Sequence, residues 1–271
     1  MDRLPANVDV VRSLRTAPEF RQVSGEIGTL YGYFSAFDSW YEVASMWEGD
    51  FLERVAPGAF AQTIAEDRDG MRVLFDHGFD PQLGNKVLGP IESLAEDSRG
   101  AAYEVPLFDT SYNRDLLPGL RAGVYGASMR MRVMADSWDD EPGPSAHNPK
   151  GLPERSITRA QVMEFGPVTF PASLAASAGV RSTTDRFYEQ LKRRDELAYA
   201  DACRAAGPLA PVLLGNPDGA GGPRPTDLTG RPGARRTGGG GSKDDGPGSG
   251  ASARSASLAR HHELILLGVL K

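Results

Sequence analysis

The chain has 271 residues, 40% of them hydrophobic, and a formal charge of −6, with an isoelectric point near 5.3. That is enough apolar material for one large domain or two small ones, and no global positive field to attract nucleic acid or an anionic membrane. A single cysteine, Cys203, excludes an internal disulfide framework and a cysteine-based zinc site, and no run approaches the ~20 apolar residues of a membrane-spanning helix. The reading is a soluble protein that is not exported.

In chain order, residues 1–27 read as an N-terminal extension, charged and without the apolar stretch of a signal peptide. Residues 28–182 have a different texture. Short β-rich runs at 29–37, 71–77, 101–108, 126–134, 156–165 and 167–172 are separated by turn-formers, the pattern of an antiparallel β-domain. Two stretches read as helices: 58–68, where Phe60 and Ile64 form an i, i+4 pair, and 111–122, where Leu116 and Leu120 do the same although Pro118 weakens it. A mainly β domain with a few helices closes as a barrel or barrel-like sandwich. Residues 183–206 read as one exposed or partner-binding helix, with Phe187, Leu191, Leu197 and Ala198 at helical spacings, Asp185 as its cap and Gly207 as its stop. Residues 207–255 are a flexible linker in which glycine and proline supply close to half of the positions, and residues 256–271 end in a short apolar segment, ELILLGVLK. That segment fits either a frayed helix on its own domain or a docking peptide.

The familiar signatures for ATP, nicotinamide cofactors, zinc proteolysis and the α/β-hydrolase elbow are all missing, and no cofactor or metal is expected. Of four histidines, only His77 stands beside a strong β-run; His147 belongs to a Pro/Asp-rich loop, and His261 and His262 to the tail. Ser128 is flanked by small residues at the start of another β-run, in GASMRMR. Glu164 interrupts an otherwise apolar strand, where a carboxylate is costly to bury unless paired. His77 and Ser128 also have ordinary structural readings, as a histidine at a strand end and a serine in a tight turn. Taken together the three permit nucleophilic acyl chemistry, with Ser128 attacking, His77 moving the proton and Glu164 holding the imidazole.

Several blocks in order resemble the prohead (capsid maturation) serine proteases of tailed phages. Gly32-Tyr-Phe-Ser-Ala-Phe37 and Phe51-Leu-Glu-Arg-Val-Ala-Pro-Gly-Ala-Phe60 are similar to the family's opening signature, and Phe75-Asp-His77 with Leu83-Gly84 to its histidine block. Gly89 to Gly100 resembles the strand and acidic turn that follow, Gly126-Ala-Ser128-Met the serine block, and Met163-Glu164 to Pro171-Ala172 the closing block. The resemblance implies a herpesvirus assemblin-like β-barrel and a catalytic set of Ser128, His77 and Glu164. Gly166 departs from the pattern, because the family more often carries serine there; Asp76 and Asp109 stand as substitute orienting acids, and backbone N–H groups near Ser128 to Arg130 as candidate oxyanion donors. The resemblance further implies action in the host cytoplasm, inside the assembling prohead, on the major capsid protein, the scaffold and the chain's own tail, with a homodimer possible. The rival readings are a non-catalytic capsid assembly module with a degenerate protease fold and a small-molecule esterase.

Overall fold

The computed structural model describes residues 8–14, 17–22, 27–171 and 183–207. The chain divides into two compact units, 1–220 and 221–271, and every described residue belongs to the first. The linker beyond Gly207 and the apolar segment at 256–271 lie outside the described residues.

Among the described residues, ten strands form two sheets. The larger joins β1 (Asp9–Leu14), β9 (Gly126–Asp139), β10 (Glu154–Val168), β5 (Gly49–Val55) and β4 (Tyr41–Ser45) in that order, with the two-residue β6 (Arg72–Val73) also pairing with β10. The smaller runs β2 (Glu19–Arg21), β3 (Thr29–Ala36), β8 (Gly100–Pro106), β7 (Ser93–Glu96). The helices are α1 (Ala61–Glu66), α2 (Ser111–Ala122), α3 (Thr183–Arg194) and α4 (Glu196–Ala206). The mainly β class with a few helices therefore stands.

Alternation builds the core. On β8, Ala101, Tyr103 and Val105 face inward, and on β9 Met129, Met131 and Val133 do. Phe165 of β10 sits between them, stacked on Phe34 at 4.9 Å and tilted against Tyr103 at 4.8 Å; aromatic contacts of this kind add about 0.5–1.5 kcal/mol each beyond area burial. Helix α2 buries Leu116, Leu117 and Leu120 and ends on Gly123 at φ 63. It continues through Pro118 because that residue is exposed, so the carbonyl left without an N–H faces water.

Four features depart from the expectations above. The sheet is mixed, since β10 runs parallel to both β5 and β6. The described residues contain no closed barrel: β1 and β4 end the larger sheet and do not pair with each other. The stretch 1–27 is not a mere extension, because β1 pairs along β9 from Asp9↔Arg132 to Leu14↔Ala127 and β2 pairs with β3. The span 183–206 is two helices broken at Asp195, whose side chain caps α4 by accepting from Ala198 N–H.

These two helices are exposed on one face only, where Leu197 is 80% exposed. Phe187, Tyr188, Tyr199, Cys203 and Ala206 form a second apolar cluster with Val8, Val11 and Trp47, and Trp47 stacks on Tyr188 at 3.9 Å. Asp185 accepts from Ser45 Oγ (2.7 Å) and Met46 N–H (3.0 Å), tying α3 to the turn between β4 and β5. Thr184 accepts from Val11 N–H (3.1 Å) and donates to the Val11 carbonyl, and Tyr188 donates to the Asp9 carbonyl (2.7 Å). Side chains of α3 thus satisfy backbone groups along the open edge of β1, which would otherwise invite another strand.

Candidate active site

The three residues singled out from sequence meet at one place. Ser128 lies on β9 opposite Ser13 of β1 and Gly166 of β10. Glu164 follows an irregularity in the β9–β10 register between Val162 and Glu164, the kind of bulge that re-aims a side chain. The short β6 exists to deliver the histidine: it pairs with β10 at Glu164↔Arg72 and Phe165↔Val73, and four residues after Val73 the chain reaches His77.

His77 sits in a left-handed turn. Asp76, His77 and Gly78 have φ of 46°, 55° and 76°, and for the two non-glycine residues this costs roughly 1–2 kcal/mol each. The turn is held from outside, because the Asp76 carboxylate accepts from Thr169 N–H (2.7 Å) and Thr169 Oγ1–H (2.8 Å), while Arg194 of α3 donates to the Gly78 carbonyl (2.5 Å). Strain of this kind, over-determined by its surroundings, is typical of functional sites.

The geometry forms a relay. His77 Nδ1 lies 2.6 Å from Glu164 Oε1, and His77 Nε2 lies 2.9 Å from Ser128 Oγ. Because a carboxylate only accepts, Nδ1 carries the proton and Nε2 is free to take one from Ser128. Ser128 is fully buried, and the His77 and Glu164 side chains are only 10% and 2% exposed, so the attraction between an imidazolium and the carboxylate is little screened by water. A cavity of about 330 Å³, lined by Ser13, His77, Phe79, Val168, Phe170 and Phe187 among others, opens beside the histidine.

The substitute acids are otherwise occupied. Asp76 is spent on Thr169, and Asp109 forms an exposed pair with Arg114 at 2.7 Å, which holds the Asp109 carboxyl below the usual range. Gly166 has a steric reason: a Cβ there would lie 1.9 Å from the Leu74 carbonyl oxygen. Further along β9, Arg132 pairs with Asp9 at 2.6 Å and Arg130 stacks over Phe187 at 5.4 Å. Around Ser128 to Arg130, β9 is paired on both sides, by β1 and β10.

Sequence reading missed β1. Arg12 and Ser13 both touch the site, Ser13 Oγ at 2.9 Å and the Arg12 carbonyl at 3.0 Å from Ser128 Oγ. The run Val8-Asp-Val-Val-Arg-Ser-Leu14 is β-rich enough to have marked it as a strand.

Residues 16–191 match the family model described as caudovirus prohead serine protease. The chain belongs to the caudovirus prohead serine proteases. No curated protein matches the sequence. Among solved structures, the bacteriophage T4 capsid assembly protease gp21 is similar at 10% identity and a TM-score of 0.38, with 60% of this chain and 98% of that one covered. Among the described residues, no helix is long and apolar enough to cross a membrane.

Proposed function

We propose that this prohead protease family member is an active endopeptidase that matures phage capsids, cutting the scaffold or a capsid-protein extension, and itself, inside the prohead through Ser128, His77 and Glu164. An assemblin-like arrangement of its two sheets, and assembly as a homodimer, belong to the same reading. The observation that carries it is the continuous chain of contacts from Ser128 Oγ through His77 to Glu164, 2.9 Å and 2.6 Å long. In the first half-reaction the Ser128 hydroxyl proton passes to His77 Nε2 as Oγ bonds to the scissile carbonyl carbon. The imidazolium then gives that proton to the leaving amine as the C–N bond breaks, and an acyl-enzyme remains. In the second, water gives its proton to Nε2 and attacks the ester, and the proton returns to Ser128 Oγ when the new carboxyl-terminus leaves. Glu164 supports both steps by keeping Nδ1 protonated and by pairing with the imidazolium.

The alternative, a non-catalytic assembly module with a degenerate site, draws support from the full burial of Ser128. Intact mass over time separates the two. Wild type and Ser128→Ala are incubated alone and with the major capsid protein and scaffold of the same phage. Shortening by wild type and none by the variant is the expected result; two chains that both stay whole beside uncut partners would move the assembly-module reading ahead.

A further inference from the structure

Ser128 Oγ carries one hydrogen and two lone pairs, and three groups compete for them. His77 Nε2 at 2.9 Å and the Arg12 carbonyl at 3.0 Å can only accept while Nδ1 of the histidine holds its proton against Glu164. Ser13 Oγ, at 2.9 Å, is the one neighbour of the three that can donate. A hydrogen on the Arg12 carbonyl leaves the nucleophile parked, and a hydrogen on His77 makes it ready to react.

We infer that Ser13 is a positioning residue of this site: its hydroxyl donates to Ser128 Oγ, fixes the rotation of the nucleophile's own hydrogen, and stabilises the charge that grows on Oγ as the proton leaves for His77. The inference rests on the triad reading above and extends it to the strand before the family match begins. Three observations support it. The cross-strand register places Ser13 directly opposite Ser128, so the contact is built into the sheet. The strand cannot drift, because Thr184 holds both backbone groups of Val11 and the Arg12 side chain is anchored on Glu48 and Glu53. Ser13 is also the residue shared by the two cavities near the nucleophile, the 330 Å³ one beside His77 and a second of about 270 Å³ lined by Arg12, Phe34, Trp40, Leu52 and Met129 among others. A peptide lying across both would pass over Ser13, whose hydroxyl stays oriented by Ser128.

A hydrogen bond that becomes charge-assisted as the reaction proceeds favours the transition state over the ground state, and such bonds carry enough free energy for roughly a tenfold to hundredfold effect on rate. The test is the second-order rate of labelling by an alkyl fluorophosphonate, which forms a bond to the serine oxygen with loss of fluoride and needs no peptide subsites. Full-length wild type, Ser13→Ala, Ser13→Thr, Ser13→Val and Ser128→Ala are compared over roughly pH 5 to 9, across the range in which histidine titrates. Ser13→Ala and Ser13→Val are expected to label about ten to a hundred times more slowly, with the acid limb of the profile unmoved. Ser13→Thr, which keeps the hydroxyl, should stay within about threefold of wild type. Threonine and valine have the same shape, so their contrast survives even if the alanine variant folds poorly. Equal or faster labelling of Ser13→Val than of Ser13→Thr overturns the role of Ser13 and leaves the triad intact. Failure of wild type itself to label at Ser128 overturns the triad reading, and the Ser13 role with it.

Discussion

On one side of the β1 residues Arg12 and Ser13, the Arg12 guanidinium meets Glu53 through Nε and Nη2 (2.6 and 3.0 Å) and Glu48 through Nη1 and Nη2 (2.9 and 2.6 Å). Arg155 and Tyr41 also bond Glu53, so both of its oxygens are partnered several times over. On the other side, Glu164 gives Oε1 to His77, with Arg130 Nε 3.8 Å away as an ion pair, and leaves Oε2, fully buried, without a hydrogen bond. Both carboxylates are 2% exposed or less. The difference teaches that burial alone does not assign a role. A charge cluster that holds strands together saturates its acceptors, whereas one that must let a proton move keeps some capacity unspent.

The same isosteric change at the two glutamates sharpens this contrast most. Glu164→Gln should cut turnover by about 10⁴-fold, because the imidazolium loses its counter-charge and the tautomer its guide. Its unfolding free energy, from denaturant titration, should move by less than about 1 kcal/mol, since a half-satisfied buried charge is replaced by a neutral group. Glu53→Gln should do the reverse. It takes a buried carboxylate from both Arg12 and Arg155, which keep only Glu48 and Asp136 as acidic partners, and should cost about 3–5 kcal/mol of stability, while the folded fraction still labels with fluorophosphonate. A result in which both variants lose stability equally would break the comparison.

Acid should find the same cluster. Burial works against the charge of Glu53, but Arg12 and Arg155 outweigh it and hold its carboxyl below the usual range; burial likewise opposes the charge of Arg12, and Glu48 and Glu53 raise it above the ordinary arginine value. A carboxyl with a depressed native pKa stabilises the fold fully above its unfolded value, and that contribution disappears as pH falls through the native one. Stability measured against pH should therefore decline below the ordinary carboxylate range, and Glu53→Gln should flatten the decline. Smaller still, Gly166→Ser restores the residue more common in the family yet forces a Cβ against the Leu74 carbonyl, and should cost about 1–3 kcal/mol. Smallest, Asp109→Ala breaks only an exposed pair with Arg114 and should change stability by less than about 1 kcal/mol and activity not at all.

Much of this was legible in residues. Phe165, Met129, Met131, Tyr103 and Val105 announce their strands by alternation, and His77, Ser128 and Glu164 stand out as polar groups where apolar ones are expected. Two helices, near 61–66 and at 111–122, follow from local apolar spacing. What stayed hidden depends on long-range pairing. β6 is two residues long and defined only by its neighbour β10, and the stabilisation of the left-handed turn at His77 comes from Thr169, far along the chain. The break between α3 and α4 turns on Asp195 acting as a cap, a signal overlooked beside a continuous helical pattern. The strand β1 is legible in its β-rich run, but its place at the site needs its pairing with β9 and the hold of Thr184 and Tyr188 of α3 to be seen.

The clasp between Thr184 and Val11 joins positions 173 residues apart. A chain emerging N-terminus first therefore carries its edge strand through those 173 positions of synthesis before the helix that fastens it has been made. Contacts of such span are paid for in loop closure and slow the final docking of a fold. The alignment of Ser13 over Ser128 thus gains its fastening only once α3 is in place.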